Sequence, residues 1–197
     1  MDRLWAPWRM RYILKNKENR QRKKGGCFLC DALGADNDRK NYILFRGRHS
    51  WVVMNIFPYN NGHLLVVPNS HVPDFNGLSS EEQVDLMKFT QASINIVKEA
   101  MEPQGFNVGI NIDAAAGAGL PVHMHIQIVP RWTGDSSYIS VFHDTRVFPE
   151  MLDETYERLK PYFEKLRSQE PVASSQESGD KISRQDQRTR SQKAGNR

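Results

Sequence analysis

The chain has 197 residues, of which 39% are hydrophobic, and this is enough for one domain with a single core plus a tail. No apolar run approaches the roughly 20 residues that cross a bilayer, and the charged opening is not a secretory signal, so we expect a cytoplasmic protein without a membrane partner. The net charge is +4, and much of the excess lies in the terminal segment and in a basic run between residues 9 and 24. Such runs are usually solvated, and attraction of polyphosphate or RNA is the weaker alternative.

The first 26 residues are predicted to form an aromatic arm and a basic linker. Leu4 to Leu14 carries two tryptophans and a proline. A segment of this composition would be poorly soluble unless it packed on the body of the protein or on a partner subunit.

Cys27 and Cys30 are the only cysteines and open the core domain, which we predict to span residues 27–167. A C-x-x-C pair in a cytosolic chain indicates a metal half-site or a redox pair rather than a structural disulfide. The strand–C-x-x-C–helix setting of a thioredoxin is missing, so we favour zinc.

Three strands are predicted in the next part of the chain. Tyr42 to Phe45 and Trp51 to Asn55 form a pair joined by a tight turn, and His63 to Val67 follows after a loop. Asn55 stands where that loop begins.

A long helix comes next. The sequence from Ser79 to Glu82 has the S-x-x-E pattern of a capping box, and Pro103-Gln104-Gly105 ends the helix. Apolar residues at helical spacing predict a buried stripe made of Val84, Met87, Ile94, Val97 and Met101. Phe106 to Ile112 then predicts a further strand that delivers Asn111 beside the next one.

The segment between Pro121 and Pro130 is predicted to be a buried strand. Side chains of a strand alternate between its faces, so His123, His125 and Gln127 emerge on one side. The bend Gly117-Ala118-Gly119 lies just upstream, where small residues let backbone N–H groups approach an anion. A single histidine would more often be a hydrogen-bonded core or surface residue, but this combination indicates chemistry on phosphate.

The end of the chain changes from helix to tail. A helix starts at Phe148-Pro149-Glu150 and continues through Leu159, with Pro161 either kinking it or opening a second short helix. Residues 168–197 contain hardly an apolar side chain and are predicted to be a disordered polar tail.

The motifs together resemble the histidine triad (HIT) superfamily. They are the His-x-His-x-Gln run with Val129-Pro130-Arg131-Trp132, the stretch Asn60 to Pro68, and the opening Leu4-Trp5-Ala6-Pro7-Trp8-Arg9. Within the superfamily, the chain is most similar to the bacterial branch that resembles diadenosine tetraphosphate phosphorylase, over about residues 3 to 167. The resemblance implies an α+β fold with an antiparallel sheet, one long crossing helix and a C-terminal helix, and it implies a homodimer.

The resemblance also implies a candidate catalytic set of His123, His125 and Gln127. His125 would attack the α-phosphorus of a nucleoside polyphosphate and hold a nucleoside monophosphate. Hydrolase branches have histidine where this chain has Gln127, and a carboxamide cannot exchange a proton at any useful pH. Transfer to an anionic acceptor such as inorganic phosphate is therefore favoured over transfer to water.

Substrate contacts are implied at further positions. Asn55 would hold the ribose hydroxyls, and Asn111 would orient a phosphate group, with the alternative that Asn111 only closes a turn. Gly117 and Gly119, from the bend described above, would line the phosphates. Trp5 or Trp8 of the arm would touch a base, and residues 133–138 match the branch only in part.

A structural zinc ion is implied by similarity to the galactose-1-phosphate uridylyltransferase branch. Its ligands would be Cys27, Cys30, His71 and His123, a closed tetrahedral set. His49 is an alternative to His71. His63 is expected to be packed beneath the site, and His143 to be a surface residue.

The expected activity is phosphorolysis of dinucleoside polyphosphates. Two alternatives stay open: hydrolysis of dinucleoside polyphosphates or nucleoside phosphoramidates, and a zinc-braced module that binds nucleotide or RNA without turnover.

Overall fold

The structure is a computed structural model that describes residues 26–135 and 148–169. The predictions for the aromatic arm, residues 136–138, His143 and most of the polar tail fall outside the described residues.

Three α-helices and five β-strands make up the described part of the chain. In chain order they are α1 (Phe28–Gly34), β1 (Ile43–Arg46), β2 (Ser50–Met54), β3 (Leu64–Pro68), α2 (Ser80–Met101), β4 (Gly105–Gly109), β5 (Ile126–Arg131) and α3 (Leu152–Gln169), with short 3-10 turns at Phe75–Gly77 and Ala114–Ala116. The strands form one sheet in the order β1-β2-β3-β5-β4, and every neighbouring pair is antiparallel. The predicted α+β fold is confirmed.

Strand β3 is buried on both faces, because its successive side chains point to opposite sides of the sheet. Leu64 and Val66 join the larger core cluster with α2 and α3, whereas Leu65 and Val67 join a smaller cluster with Leu29 of α1. Strand β2 alternates in the same way. Helix α1 therefore covers the face of the sheet opposite to the two longer helices.

Helix α2 begins with the predicted capping box: the Ser79 hydroxyl accepts the Glu82 N–H, and the Glu82 carboxylate accepts the Ser79 N–H. The predicted apolar stripe is wrong in its first half, since Val84 and Met87 are 68% and 61% exposed. The residues of α2 that are buried are Leu86, Phe89, Thr90, Ser93, Ile96 and Val97.

The buried face of α2 contains small polar residues, which explains the error. The Thr90 hydroxyl donates to the Leu86 carbonyl at 2.8 Å, so its polar group is satisfied inside the core. A pattern built from apolar residues alone passes over such positions and selects a neighbouring face of the helix.

Strand β5 starts later than predicted and runs through the proline that was expected to end it. It comprises Ile126–Arg131, so His123 and His125 lie on the segment that enters the strand. Pairing with β3 ends at Ile128, and farther on only β4 borders β5. A proline is tolerated in a strand with one neighbour, which accounts for Pro130.

Strand β4 is also shorter than predicted. It ends at Gly109, and Asn111 lies on the segment that follows.

The predicted C-terminal helix is present as α3, and Pro161 lies inside it as one continuous helix. Tyr156, Leu159 and Phe163 recur at helical spacing and are buried in the larger cluster. Among the residues described, no helix has both the length and the apolar character needed to span a bilayer.

Helix α3 also covers the outer edge of β1. The Tyr156 hydroxyl donates to the Ile43 carbonyl at 3.3 Å, and the Lys160 ammonium donates to the Leu44 carbonyl at 3.2 Å. Carbonyls of an edge strand are thereby satisfied by side chains.

Candidate functional site

Two cysteines and two histidines from distant parts of the chain meet on the α1 side of the sheet. Cys27 and Cys30 lie at the start of α1, His71 follows β3, and His123 precedes β5. Their ligand atoms all lie within 4.8 Å of one another. His123 Nδ1 is 3.3 Å from Cys27 Sγ and 3.4 Å from Cys30 Sγ, and His71 Nδ1 is 3.2 Å from Cys30 Sγ. The alternative ligand His49 is not part of this group.

The group has the chemistry and dimensions of a zinc site. Tetrahedral zinc, with Zn–S of about 2.3 Å and Zn–N of about 2.0 Å, places neighbouring sulfur and nitrogen atoms about 3.5 Å apart. His123 Nε2 lies 3.0 Å from the Pro68 carbonyl oxygen, so this N–H donates to the carbonyl and Nδ1 keeps its lone pair towards the sulfurs. Four protein ligands would leave no open position for water.

Burial shifts the pKa of Cys30 and of His123 in this group. Burial, followed by the neighbouring Cys27, raises the pKa of the Cys30 thiol to about 11. Burial lowers the pKa of His123, against the opposing effect of its hydrogen bond to Pro68. A histidine ligand must be neutral and a cysteine ligand deprotonated, so His123 already has the required form, and a divalent cation would reverse the shift at Cys30.

Helix α1 is fixed at both ends. Cys27 is its N-cap residue, and its sulfur accepts the Cys30 N–H at 3.5 Å. At the other end, the guanidinium of Arg46 donates to the Ala35 carbonyl at 2.8 Å and to carbonyls of the last helical turn, and it pairs with Asp38 at 2.7 Å. The helix that carries Cys27 and Cys30 is thus attached to β1.

His125 is oriented by a backbone carbonyl two residues upstream. Its Nδ1 lies 3.1 Å from the His123 carbonyl oxygen, so Nδ1 carries the proton and Nε2 keeps its lone pair. Burial lowers the pKa of His125, and the same hydrogen bond opposes this shift. The ring is only partly buried, unlike that of His123. The neutral form, which is the nucleophilic one, is therefore favoured.

Gln127 follows on β5 and is partly exposed. It stands opposite Leu65 in β3 and Gly109 in β4. Because Leu65 belongs to the cluster beneath α1, Gln127 lies on the α1 side of the sheet. A Cβ atom at Gly109 would meet no atom within 4 Å, so the neighbouring strand leaves room beside the carboxamide.

The glycine bend and Asn111 are brought together. Gly117 has a φ of 85°, a value that favours glycine, and a Cβ there would lie 3.7 Å from Asn111 Nδ2. The N–H of Gly117 donates to the Ala114 carbonyl at 3.1 Å, so this donor is used within the turn. A Cβ at Gly119 would meet open space.

Asn55 begins the loop between β2 and β3, and its carboxamide is engaged inside that loop. Its Oδ1 accepts the Phe57 N–H at 2.9 Å, and its Nδ2 lies 3.3 Å from His63 Nδ1. His63 is buried at the base of the loop, with 1% exposure.

Comparison with known proteins settles the family. A model of the HIT domain matches residues 37–133. An AP-4-A phosphorylase of Mycobacterium tuberculosis (strain H37Rv) is 36% identical over 159 residues, which cover 79% of this chain and 80% of that protein. The chain belongs to the HIT family. A bis(5'-adenosyl)-triphosphatase of Dictyostelium discoideum is 31% identical to this chain over 137 residues, which cover 66% of this chain and 91% of that relative.

Solved structures share the HIT fold. A zinc-bound histidine triad family protein from Mycobacterium smegmatis superposes with a TM-score of 0.59 at 24% identity. The superposition covers 74% of this chain and 98% of that protein. A uridylyltransferase has a TM-score of 0.58 at 19% identity and covers 82% of this chain and 52% of its own. At these identities the likeness shows the fold alone.

Two contacts of the candidate site were not predicted from the sequence. The Pro68 carbonyl orients His123, and Arg46 holds α1. A backbone carbonyl has no signature in a sequence, and the partners of Arg46 in α1 are themselves backbone carbonyls. The ring of His63 was expected below the site, but its contact with Asn55 was not.

Proposed function

We propose that this HIT domain transfers a nucleotide through a covalent bond to His125 and cleaves dinucleoside polyphosphates by phosphorolysis. The observation that carries the proposal is the hydrogen bond that His125 Nδ1 donates to the His123 carbonyl. Because Nδ1 carries the proton, the lone pair on Nε2 of this partly exposed ring is available for attack. A neutral imidazole needs no deprotonation before it attacks. The relative that is 36% identical and named AP-4-A phosphorylase supports the substrate class.

The reaction has two displacements at the same phosphorus. First, His125 Nε2 forms a P–N bond with the α-phosphorus, and the P–O bond to the rest of the polyphosphate breaks, releasing a nucleoside polyphosphate. Second, an oxygen of inorganic phosphate forms a P–O bond and the P–N bond breaks. The products of the second step are a nucleoside diphosphate and the neutral histidine.

Gln127 supports phosphate as the acceptor. Its carboxamide can hydrogen-bond phosphate oxygens but cannot take a proton from water. An acceptor that is already anionic needs no general base, so the second displacement proceeds faster with phosphate than with water.

The remaining residues divide between substrate and metal. In the proposal, Asn55 holds the ribose hydroxyls, and Asn111 with Gly117 and Gly119 lines the phosphate chain. His123 enters both the predicted catalytic set and the predicted ligand set, and its engaged nitrogens support the ligand role.

The deciding test is mass spectrometry of the protein mixed with diadenosine tetraphosphate. We expect an added adenosine monophosphate that maps to His125, and His125→Asn should lose the adduct and lower kcat by at least about 10³-fold, as loss of a nucleophile does. Unchanged turnover in His125→Asn would refute the proposal. A module that only binds nucleotide or RNA would keep its affinity and show no adduct in either protein.

Hydrolysis is the second candidate, favoured by the similarity to the Dictyostelium discoideum triphosphatase. Product analysis with and without inorganic phosphate separates the two. Phosphorolysis predicts nucleoside diphosphate only when phosphate is present, whereas products that do not depend on phosphate would establish the hydrolase.

The Cys/His group described above, called the metal group below, favours the proposal of a structural zinc ion. Zinc would be held by Cys27, Cys30, His71 and His123 and would supply cross-linking of three segments. Cysteines used as metal ligands rather than in a disulfide also suit the reducing cytoplasm, where we place the protein.

A homodimer is the proposed assembly. Helix α3 covers the outer edge of β1, whereas Asn107, Val108 and Gly109 of β4, at the other end of the sheet, are exposed. An exposed strand edge pairs readily with another strand. A second copy of the chain is the partner that the family implies.

A further inference from the structure

We infer that His63 is a positioning residue for the nucleotide: its imidazole holds the Asn55 carboxamide in the orientation that receives the ribose hydroxyls. The inference rests on the proposed function, because it assigns ribose recognition to Asn55, and it identifies the buried group that makes this recognition possible. His63 acts through Asn55 and does not touch the substrate.

The orientation of the Asn55 carboxamide is fixed within its own loop. Oδ1 accepts the Phe57 N–H at 2.9 Å. Only the oxygen of a carboxamide can accept, so this bond distinguishes the two ends of the group. The other end, Nδ2, therefore faces His63 Nδ1 at 3.3 Å as a donor.

Two donors converge on the same nitrogen of His63. Besides Asn55 Nδ2, the backbone N–H of Tyr59 points to Nδ1 at 3.0 Å. Nδ1 must accept from both, so the imidazole is neutral and its proton is on Nε2. The ring is held in place from above by Tyr59, whose ring stacks on it with centroids 5.0 Å apart and planes 26° apart.

The same residues close the base of the loop through the backbone. The Asn55 N–H donates to the His63 carbonyl at 2.9 Å. His63 is 1% exposed, so its Nδ1 acceptor is shielded from water. If the imidazole were removed, a water molecule could take its place as acceptor only at a free-energy cost. Loss of the imidazole would leave the Asn55 Nδ2 and Tyr59 N–H donors without this acceptor.

The consequence for the ligand follows from hydrogen-bond capacity. After its bonds to Phe57 and His63, Asn55 keeps one lone pair on Oδ1 and one N–H on Nδ2, which is the acceptor and donor that a vicinal diol can use. A carboxamide that is already oriented loses little conformational entropy on binding. The contribution of His63 should therefore appear as discrimination for ribose hydroxyls and not in the chemical step at His125.

The experiment measures binding of AMP and of 2',3'-dideoxy-AMP by calorimetry. The wild-type protein should bind AMP on the order of ten-fold more tightly, as expected for one or two hydrogen bonds to the diol. His63→Leu should reduce this ratio to near one, as Asn55→Ala should, and the double variant should show no further loss. The matched control is His63→Asn, whose Oδ1 stands close to the place of Nδ1 and should retain most of the discrimination.

Several outcomes would overturn the inference. The inference is overturned if the wild-type protein binds AMP and 2',3'-dideoxy-AMP equally well. It is also overturned if His63→Leu weakens the binding of both nucleotides by the same factor, since a merely structural residue would behave in this way. Should His63→Leu fail to fold, the ¹⁵N resonance of His63 Nδ1 in the wild type decides. It should shift on saturation with AMP and not with 2',3'-dideoxy-AMP, and an equal response to both overturns the inference.

The inference and the proposed function fail separately. Absence of diadenosine tetraphosphate cleavage, together with an intact AMP preference that depends on His63, would refute the proposed function alone. Normal phosphorolysis without an AMP preference would refute the role of His63 alone.

Discussion

In the proposed reaction, the side chain of Gln127 determines whether phosphate or water is the preferred acceptor. It is partly exposed on β5, two positions after His125, and Gly109 beside it leaves space. A carboxamide contributes hydrogen bonds but no proton transfer near neutral pH. A single substitution at Gln127 should therefore change the preference for phosphate over water as the acceptor.

We expect Gln127→His to convert part of the phosphorolysis into hydrolysis. An imidazole at this position can accept a proton from water, and general base catalysis contributes typically 10²–10⁴-fold. The ratio of AMP to ADP among the products, measured at fixed phosphate concentration, should rise by at least about ten-fold. Gln127→Asn is the control that keeps a carboxamide, and a ratio unchanged in Gln127→His would contradict the role given to Gln127.

At the scale of the element, α1 depends on Arg46 of β1. The helix has seven residues, which is too short to be stable alone. Leu29 anchors it in the smaller core cluster, while the guanidinium binds backbone carbonyls at its end and Asp38 beyond. The position of Cys27 and Cys30 therefore depends on Arg46, which lies outside the Cys/His group.

We expect Arg46→Lys to loosen α1 and to speed the loss of bound zinc. A lysine keeps the charge but cannot reproduce the fork of donors that reaches several carbonyls, and lost hydrogen bonds of a charged group cost about 1–3 kcal/mol of stability. A chromogenic chelator should remove zinc several-fold faster from Arg46→Lys than from the wild type. Arg158→Lys, which alters an exposed ion pair with Glu150, should release zinc at the wild-type rate. Equal rates in all three proteins would contradict the proposed support of α1.

At the scale of the whole molecule, the metal group connects α1, the segment after β3 and the segment before β5. His123 belongs to this group and also supplies the carbonyl that orients His125. A metal ion bound by this group would therefore be coupled to the orientation of His125, the proposed nucleophile, through His123.

We expect about one zinc ion per chain and a lower Tm after chelation, since structural zinc contributes directly to folding. His71→Ala should lose zinc and lower the Tm by several degrees. His49→Ala is the matched control, because His49 lies outside the metal group and should retain both. Full zinc content with an unchanged Tm in His71→Ala would exclude this ligand set.

We expect Val108→Lys to separate the proposed dimer into monomers. Val108 is 47% exposed on β4, and a charge on an edge strand opposes pairing with another strand. Light scattering coupled to gel filtration should show half the wild-type mass. Met151→Lys, at a residue 72% exposed outside the sheet, should leave the mass unchanged. A dimer that persists in Val108→Lys would place the interface elsewhere.

The sequence by itself determined the features that rest on local pattern. Short apolar runs bounded by turn residues identified strands β1 to β3, and the S-x-x-E pattern located the start of α2, because these signals depend on neighbouring residues alone. Spaced motifs, compared with a known family, also predicted the four candidate metal ligands, whose ligand atoms lie within 4.8 Å of one another in the structure.

Only the tertiary structure decided which face of α2 is buried and how the two histidines are oriented. Thr90 can be buried in the core because its hydroxyl donates a hydrogen bond to the Leu86 carbonyl. The start of β5 is set by its pairing with β3 and β4. His123 donates to Pro68, and His125 is positioned by the carbonyl of His123. Backbone carbonyls are the same in every residue, so their partners become visible only when distant segments have packed together.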